Sequence, residues 1–243
     1  MDQNEMDAAA TLARAHEPHG DVGGRLNWLR AGVLGANDGI VSTAGVIVGV
    51  AGATTERTTI LTAGIAALVA GALSMGVGEY VSVSTQRDTE TALLERERRE
   101  LRETPDEELA ELAGFYRQRG LDAQLAQQVA VQLTAKDALA AHAEVELQID
   151  PESLTSPWHA ASASMGAFFV GALLPLVAAL VSSPSWHVPL IAIFVVLALA
   201  LTGYLSARLG GTTPGRQIAR NVAGGLLAMV VTYAIGALVG AQL

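Results

Sequence analysis

The amino-acid sequence predicts an all-α membrane protein of five transmembrane helices, with a three-helix cytosolic insert between the second and third. Three observations carry this. Of 243 residues 51% are hydrophobic and only 16% charged. The charge is segregated: Asp and Glu number 8 in residues 1–85, 16 in 86–152 and none in 153–243, against 4, 8 and 3 Lys plus Arg. A water-facing surface mixes charges of both signs, so a final stretch of 91 residues without one carboxylate is not such a surface. The apolar parts also break into runs of the roughly 20 residues that a hydrocarbon core about 30 Å thick requires.

Composition excludes several kinds of chemistry. No cysteine is present, which removes disulfides, iron–sulfur clusters, thiolate zinc sites and thiol nucleophiles together. The single lysine, Lys136, is not in a phosphate-binding loop, so ATP-driven transport of that kind is excluded. A net charge of −9 with no basic block argues against a nucleic-acid partner. Any metal must be held by Asp, Glu, His, Met or backbone oxygen.

Residues 1–25 read as a flexible cytosolic N-terminus, in which His16 and His19 are most simply solvated. The membrane parts are 26–85 and 153–243, with spans near 31–53, 59–82, 159–181, 187–208 and 217–241. About thirty polar residues precede the first span, which is therefore no cleaved signal peptide. Arg25, Arg30, Arg87, Arg208, Arg216 and Arg220 fall on one side, and only Arg57 on the other. The positive-inside rule then makes the N-terminus and the 86–152 insert cytosolic.

The insert reads as three helices. Residues 86–103 prolong the second span as a polar helix, with opposite charges at helical spacing such as Glu95 and Arg99. Thr104, Pro105 and Glu107 have the spacing of a helix start with a capping box. Gly120 marks the end of that helix, and Asp122 caps a third that runs to about Gln148. Glu97 with Glu100, and Glu108 with Glu111, share helix faces at three-residue spacing; His142 and Glu146 lie one turn apart with Glu144 between them. Carboxylates with one imidazole suit Fe2+, Mn2+ or similar ions. Exposed charge runs are more often simply solvated. No Glu precedes a His by three residues, as the ligands of di-iron bundles do, which disfavours a ferritin-like oxidase.

Asp38 and Glu79 are the only carboxylates in the five spans, and an intramembrane carboxylate costs about 2.5–3.5 kcal/mol on insertion scales. Asp38 and Met75 share a depth of roughly 10 Å from the cytosolic edge on antiparallel helices. Glu79 is one turn from Met75 and either serves the same path or snorkels to the interface. Met75 either adds a thioether to a transition-metal site or packs. Asn37 and Ser42 are further path groups or helix-packing polars. Gly35 with Gly39, Gly45 with Gly49, and Gly236 with Gly240 are spaced for close helix contact, in a homodimer or within one chain.

The run Asn37-Asp38-Gly39-Ile40-Val41-Ser42-Thr43, with Gly71 to Tyr80 (GALSMGVGEY) and Val81 to Asp88 (VSVSTQRD), resembles the vacuolar iron transporter family in its bacterial-type form. The resemblance covers nearly everything after residue 25. It implies a homodimeric Fe2+/H+ antiporter, not an enzyme, in a bacterial cell membrane, with no permanently bound cofactor and a path between subunits. It matches Asp38 and Met75 to metal-path residues, and Glu97, Glu100, Glu108, Glu111 and Glu146 to a cytosolic metal-binding domain. Two departures are visible. Ala67 stands where some members have a glutamate, and His142-Ala143 where those members have Met-Glu. The first leaves the proton-coupling residue open; the second exchanges a thioether for an imidazole and shifts preference toward Mn2+, Co2+ or Zn2+. The rival readings are a membrane-anchored metal sensor and an iron-oxidising or storage protein without transport.

Overall fold

The computed structural model describes residues 22–183 and 186–242, and every regular element among them is helical. The tail expected over 1–25, with His16 and His19, lies outside them up to residue 21. In chain order the helices are α1 (Val22–Ala53), α2 (Arg57–Glu103), α3 (Pro105–Gln118), α4 (Ala123–His142), α5 (Pro157–Val181), α6 (His187–Leu209) and α7 (Pro214–Gly240). A π-turn, Ala143–Leu147, continues α4. By length and composition α1, α2, α5, α6 and α7 can each cross a membrane. The chain divides into two compact units, one made of the described residues up to Gly78 and from His159 onward, the other of Glu79–Trp158.

In the first unit α1 is the organising helix. Ile40, Ala44, Ile47 and Val48 recur at helical spacing and are buried with Ile60, Ala178, Ile191, Val195, Leu199 and Met229. The outer faces are the reverse of a soluble protein's: Leu238, Leu227 and Leu197 are 68%, 66% and 65% exposed. Apolar surface of this extent is stable only against lipid. Small residues then decide how closely helices approach, because lipid offers no hydrophobic gain for burying larger ones. Gly35 lies against the carbonyl of Ser164, where an added Cβ would come within 2.9 Å, and Gly39 lies against the backbone of Phe168. Gly236 abuts the carbonyl of Gly49, and Gly240 abuts Ala53. These three sequence pairs thus serve contacts between helices of one chain.

The second unit comprises the polar end of α2, then α3, α4 and the π-turn. Leu112, Ala113, Ala130, Ala141 and Val145 form its apolar centre, flanked by Leu109, Phe115, Tyr116 and Leu133. Its starts and stops follow local chemistry. Asp122 Oδ1 accepts from the amides of Gln124 and Leu125, each at 2.9 Å, as an N-cap should. Gly120 adopts φ +101°, open to glycine at little cost, and closes α3. The capping box expected at Thr104 does not form. Its hydroxyl turns back to donate to Glu100 O, and its main-chain oxygen receives the Glu107 and Glu108 amides instead. Glu95 pairs with Arg98, three residues on, rather than with Arg99.

Two glycines separate packing from propensity. Gly236→Val would place a branched side chain against the Gly49 backbone, and thermal unfolding in detergent should show a loss of about 1–3 kcal/mol. Gly114 meets nothing within 4 Å, so Gly114→Ala should instead gain about 0.5–1 kcal/mol in the same measurement.

Candidate functional site

Three helical segments of the Glu79–Trp158 unit send acidic side chains to one imidazole. Glu97 comes from α2, Glu108 from the first turn of α3, and His142 and Glu146 from the end of α4 and the π-turn. His142 is fully buried and its Nδ1 lies 2.9 Å from Glu97 Oε1, 3.5 Å from Glu146 Oε2 and 3.7 Å from Glu108 Oε2. One ligand atom from each of Glu97, Glu108 and His142 falls within 4.8 Å of the others, the one such grouping among the described residues. Donors about 2.1 Å from a common ion in octahedral geometry sit about 3.0 Å apart, so these separations suit a shared cation.

The hydrogen bonding points the same way. Glu97 Oε1, Glu146 Oε2 and both ring nitrogens of His142 are buried without a hydrogen-bond partner, despite their proximity. Leaving a buried polar atom unsatisfied costs about 1–3 kcal/mol, so four at one place mark a candidate ligand site. Burial, and next the nearby carboxylates of Glu146 and Glu108, raise Glu97 to about 7. Burial and Glu111 raise Glu108 above the usual carboxylate range, while His142 opposes this. A divalent ion would reverse both effects by supplying the missing opposite charge.

The local fold explains how His142 and Glu146 come to this point. α4 is interrupted at Asp137, whose backbone is extended (φ −162°, ψ 100°) and whose Oδ1 accepts from the Ala140 amide at 2.9 Å. A second, separately capped helical piece starts there. It widens into the π-turn and ends at Gln148 in the left-handed region (φ 55°). Such turns recur at functional sites. Arg119 fastens it to the end of α3, donating to Val145 O at 3.3 Å.

The other acidic residues singled out in the sequence are placed differently. Glu100 is half-buried and pairs with Arg96 at 2.9 Å. Glu111 is exposed and acts on Glu97 and Glu108 through its charge. Glu144 is exposed and outside the grouping, because it stands midway between His142 and Glu146 on the turn and so faces away from both.

In the other unit Asn37, Asp38 and Met75 line a cavity of ≈ 500 Å³ between α1, α2 and α7. Arg220, Asn221 and the glycines Gly224 and Gly225 complete the wall. Arg220, which in the sequence bears only on orientation, reaches this cavity from a helix far along the chain. Ser42 does not line this cavity. Its hydroxyl donates to Asp38 O at 2.6 Å, and its side opens on an apolar groove between α1 and α7. Glu79 is half-buried and belongs to the Glu79–Trp158 unit.

The model of the VIT family matches residues 29–237. A vacuolar iron transporter of Acanthamoeba castellanii is 43% identical over 221 residues, covering 90% of this chain and 82% of that protein. The vacuolar iron transporter homolog 1 of Oryza sativa subsp. japonica is 38% identical over 242 residues, covering 97% and 85%. The vacuolar iron transporter homolog 2 of Arabidopsis thaliana is 34% identical over 221 residues, covering 90% and 88%.

The raised Glu97 sets a pH dependence. Below about 7 this carboxyl holds a proton that an ion must displace, so Fe2+ or Mn2+ affinity should rise up to tenfold per pH unit from 5.5 and level off above about 7. In the metal-free protein the sign is opposite for stability: a carboxyl raised from 4.5 favours the folded unit while protonated, and that contribution is lost as pH rises from 4.5 through 7. Calorimetric titration and thermal unfolding, each against pH, check the two slopes. His142→Ala should weaken metal binding at least tenfold at pH 7.

Proposed function

The chain belongs to the VIT family, and from that membership we propose that it is a proton-coupled antiporter carrying Fe2+, and also Mn2+ or similar ions, out of the cytosol. The observation that carries this reading is the set of buried, unpartnered oxygens and nitrogens around His142. The five apolar helices are its membrane spans, and α3, α4 and the polar end of α2 form a three-helix cytosolic domain between the second and third. The segregated arginines set that orientation. Two copies assemble as a homodimer in the bilayer.

The cytosolic cluster captures metal. Glu97, Glu108, His142 and Glu146 are its ligands, with Glu100 and Glu111 adding negative potential that concentrates cations nearby. The selectivity follows from donor type. Hard oxygens alone would favour Mg2+ or Ca2+, and an imidazole moves preference to transition metals.

Within the membrane Asp38 and Met75 receive the ion, the carboxylate supplying charge and the thioether softness. Asn37 adds an amide oxygen whose Oδ1 is buried without a partner. Arg220 lines the same cavity, so a divalent cation must bind against a fixed positive charge. That keeps residence short, and a transport station must release what it binds. Asp38 accepts either a proton or a metal ion, and the competition between them couples the two flows.

Asp38→Ala should lower Fe2+ flux into proteoliposomes at least tenfold while leaving metal binding by the cytosolic cluster unchanged. Glu108→Gln should weaken capture at low metal concentration and restore flux at high concentration. Wild-type flux in Asp38→Ala would sink the assignment of the path. Metal binding with no flux in the unaltered protein would favour a sensor, and oxygen uptake on adding Fe2+ an oxidase.

A further inference from the structure

The unit that holds Asp38 contains a second group fitted for proton chemistry, at the opposite end of α1. Asp38 lies roughly 22 Å from the end of α1 at Ala53, taking 1.5 Å per residue. At that end Arg57, which opens α2, donates to the carbonyl of Leu180 near the end of α5. The start of α2 and the end of α5 are thereby brought together. Ser182 and His187 sit beside this bond, 4% and 3% exposed.

Their hydrogen bonds are compatible with an imidazole that offers its lone pair on the buried nitrogen. Ser182 Oγ lies 3.1 Å from Ala179 O and 2.5 Å from His187 Nδ1. A hydroxyl has one hydrogen, and a carbonyl oxygen can only accept it. With that hydrogen on Ala179 O, Ser182 Oγ must accept from Nδ1–H. His187 is then the neutral tautomer that carries its lone pair on Nε2, and Nε2 is buried with no hydrogen-bond partner among the described residues.

The surroundings exclude a metal ion and leave a proton as the ligand, which the positive charge of Arg57 lets bind only transiently. Arg57 is the charged side chain close enough to act on this imidazole. Its neighbour Glu56 is turned to the Thr59 hydroxyl. Neither α5 nor α6 contains a carboxylate, and α1 reaches this end with Val50, Ala51 and Ala53. A divalent cation would find one nitrogen ligand beside an arginine, which is no metal site. Among the described residues of this unit the carboxylates and imidazoles are Asp38, Glu56, His159 and His187, and only His187 is buried.

We propose that His187 Nε2 is the proton-loading group at the non-cytosolic end of the membrane unit, positioned by Ser182. This rests on the antiport reading above and assigns that reading's incoming proton to a residue. A proton from the far compartment binds Nε2, giving an imidazolium held by Ser182. Beside Arg57 and an apolar core the imidazolium is short-lived, and it gives its proton up again as the cycle turns over.

The test uses the full-length protein in proteoliposomes under anaerobic conditions, with external Fe2+ and an internal pH dye. External metal engages only copies whose acidic domain faces outward, so internal pH is the far-side variable. Wild-type Fe2+-driven proton flux should fall through a single one-proton step as internal pH rises from 5 to 8. His187→Gln should lower proton flux at least tenfold and flatten this profile, while exchange of labelled for unlabelled Fe2+ at equal pH persists. Ser182→Ala keeps the imidazole and should move the midpoint without removing the step. A wild-type profile in His187→Gln overturns the proposal. So does loss of metal exchange in that variant, which would make His187 a packing residue. Absence of proton flux in the unaltered protein would instead remove the antiport reading itself.

Discussion

Glu97, Glu108 and Glu146 stand within 4 Å of the His142 imidazole in a place that water scarcely reaches. Apolar side chains of α3 and α4 close around this grouping and deny the carboxylates the solvation that would relieve their repulsion. The folded unit therefore holds an unfavourable charge arrangement in place through hydrophobic packing, of a kind that a bound divalent cation would relieve. Metal affinity and folding would then be coupled through the same atoms.

The membrane unit solves a different problem. With lipid on its outside, burial of large apolar groups offers little, and α1 is held by close backbone contact at Gly35, Gly39 and Gly49 with α5 and α7. The same economy of side-chain bulk at Gly224 and Gly225 leaves room for the cavity that Asp38 and Met75 line. Close packing and the cavity are thus two results of one small-residue pattern.

Much of this was legible in the sequence because it depends on local rules. Hydrophobic length gave the five apolar helices, and Asp122 and Gly120 declared a helix start and a helix end. What depended on sequence-distant contacts was not. Counting carboxylates near His142 drew in Glu144 with Glu146, although only Glu146, one turn on, shares the face of His142. Arg220 and Asn221 reach the cavity wall from the last helix, with no local signal. The Ser182–His187 pair spans a short connection between two apolar helices, where a lone histidine reads as ordinary. One missed feature did carry a signal: Asp137, a poor helix former three residues before Ala140, was an internal N-cap inside what looked like one helix.

That break gives the donor set a mechanical division. His142 and Glu146 ride on one short helical body with its own cap at Asp137, pinned at its far side by the guanidinium of Arg119. Glu97 and Glu108 belong to other bodies. Half of the candidate donors therefore share one rigid piece, and the backbone angle at Asp137 sets how near that piece stands to the other half.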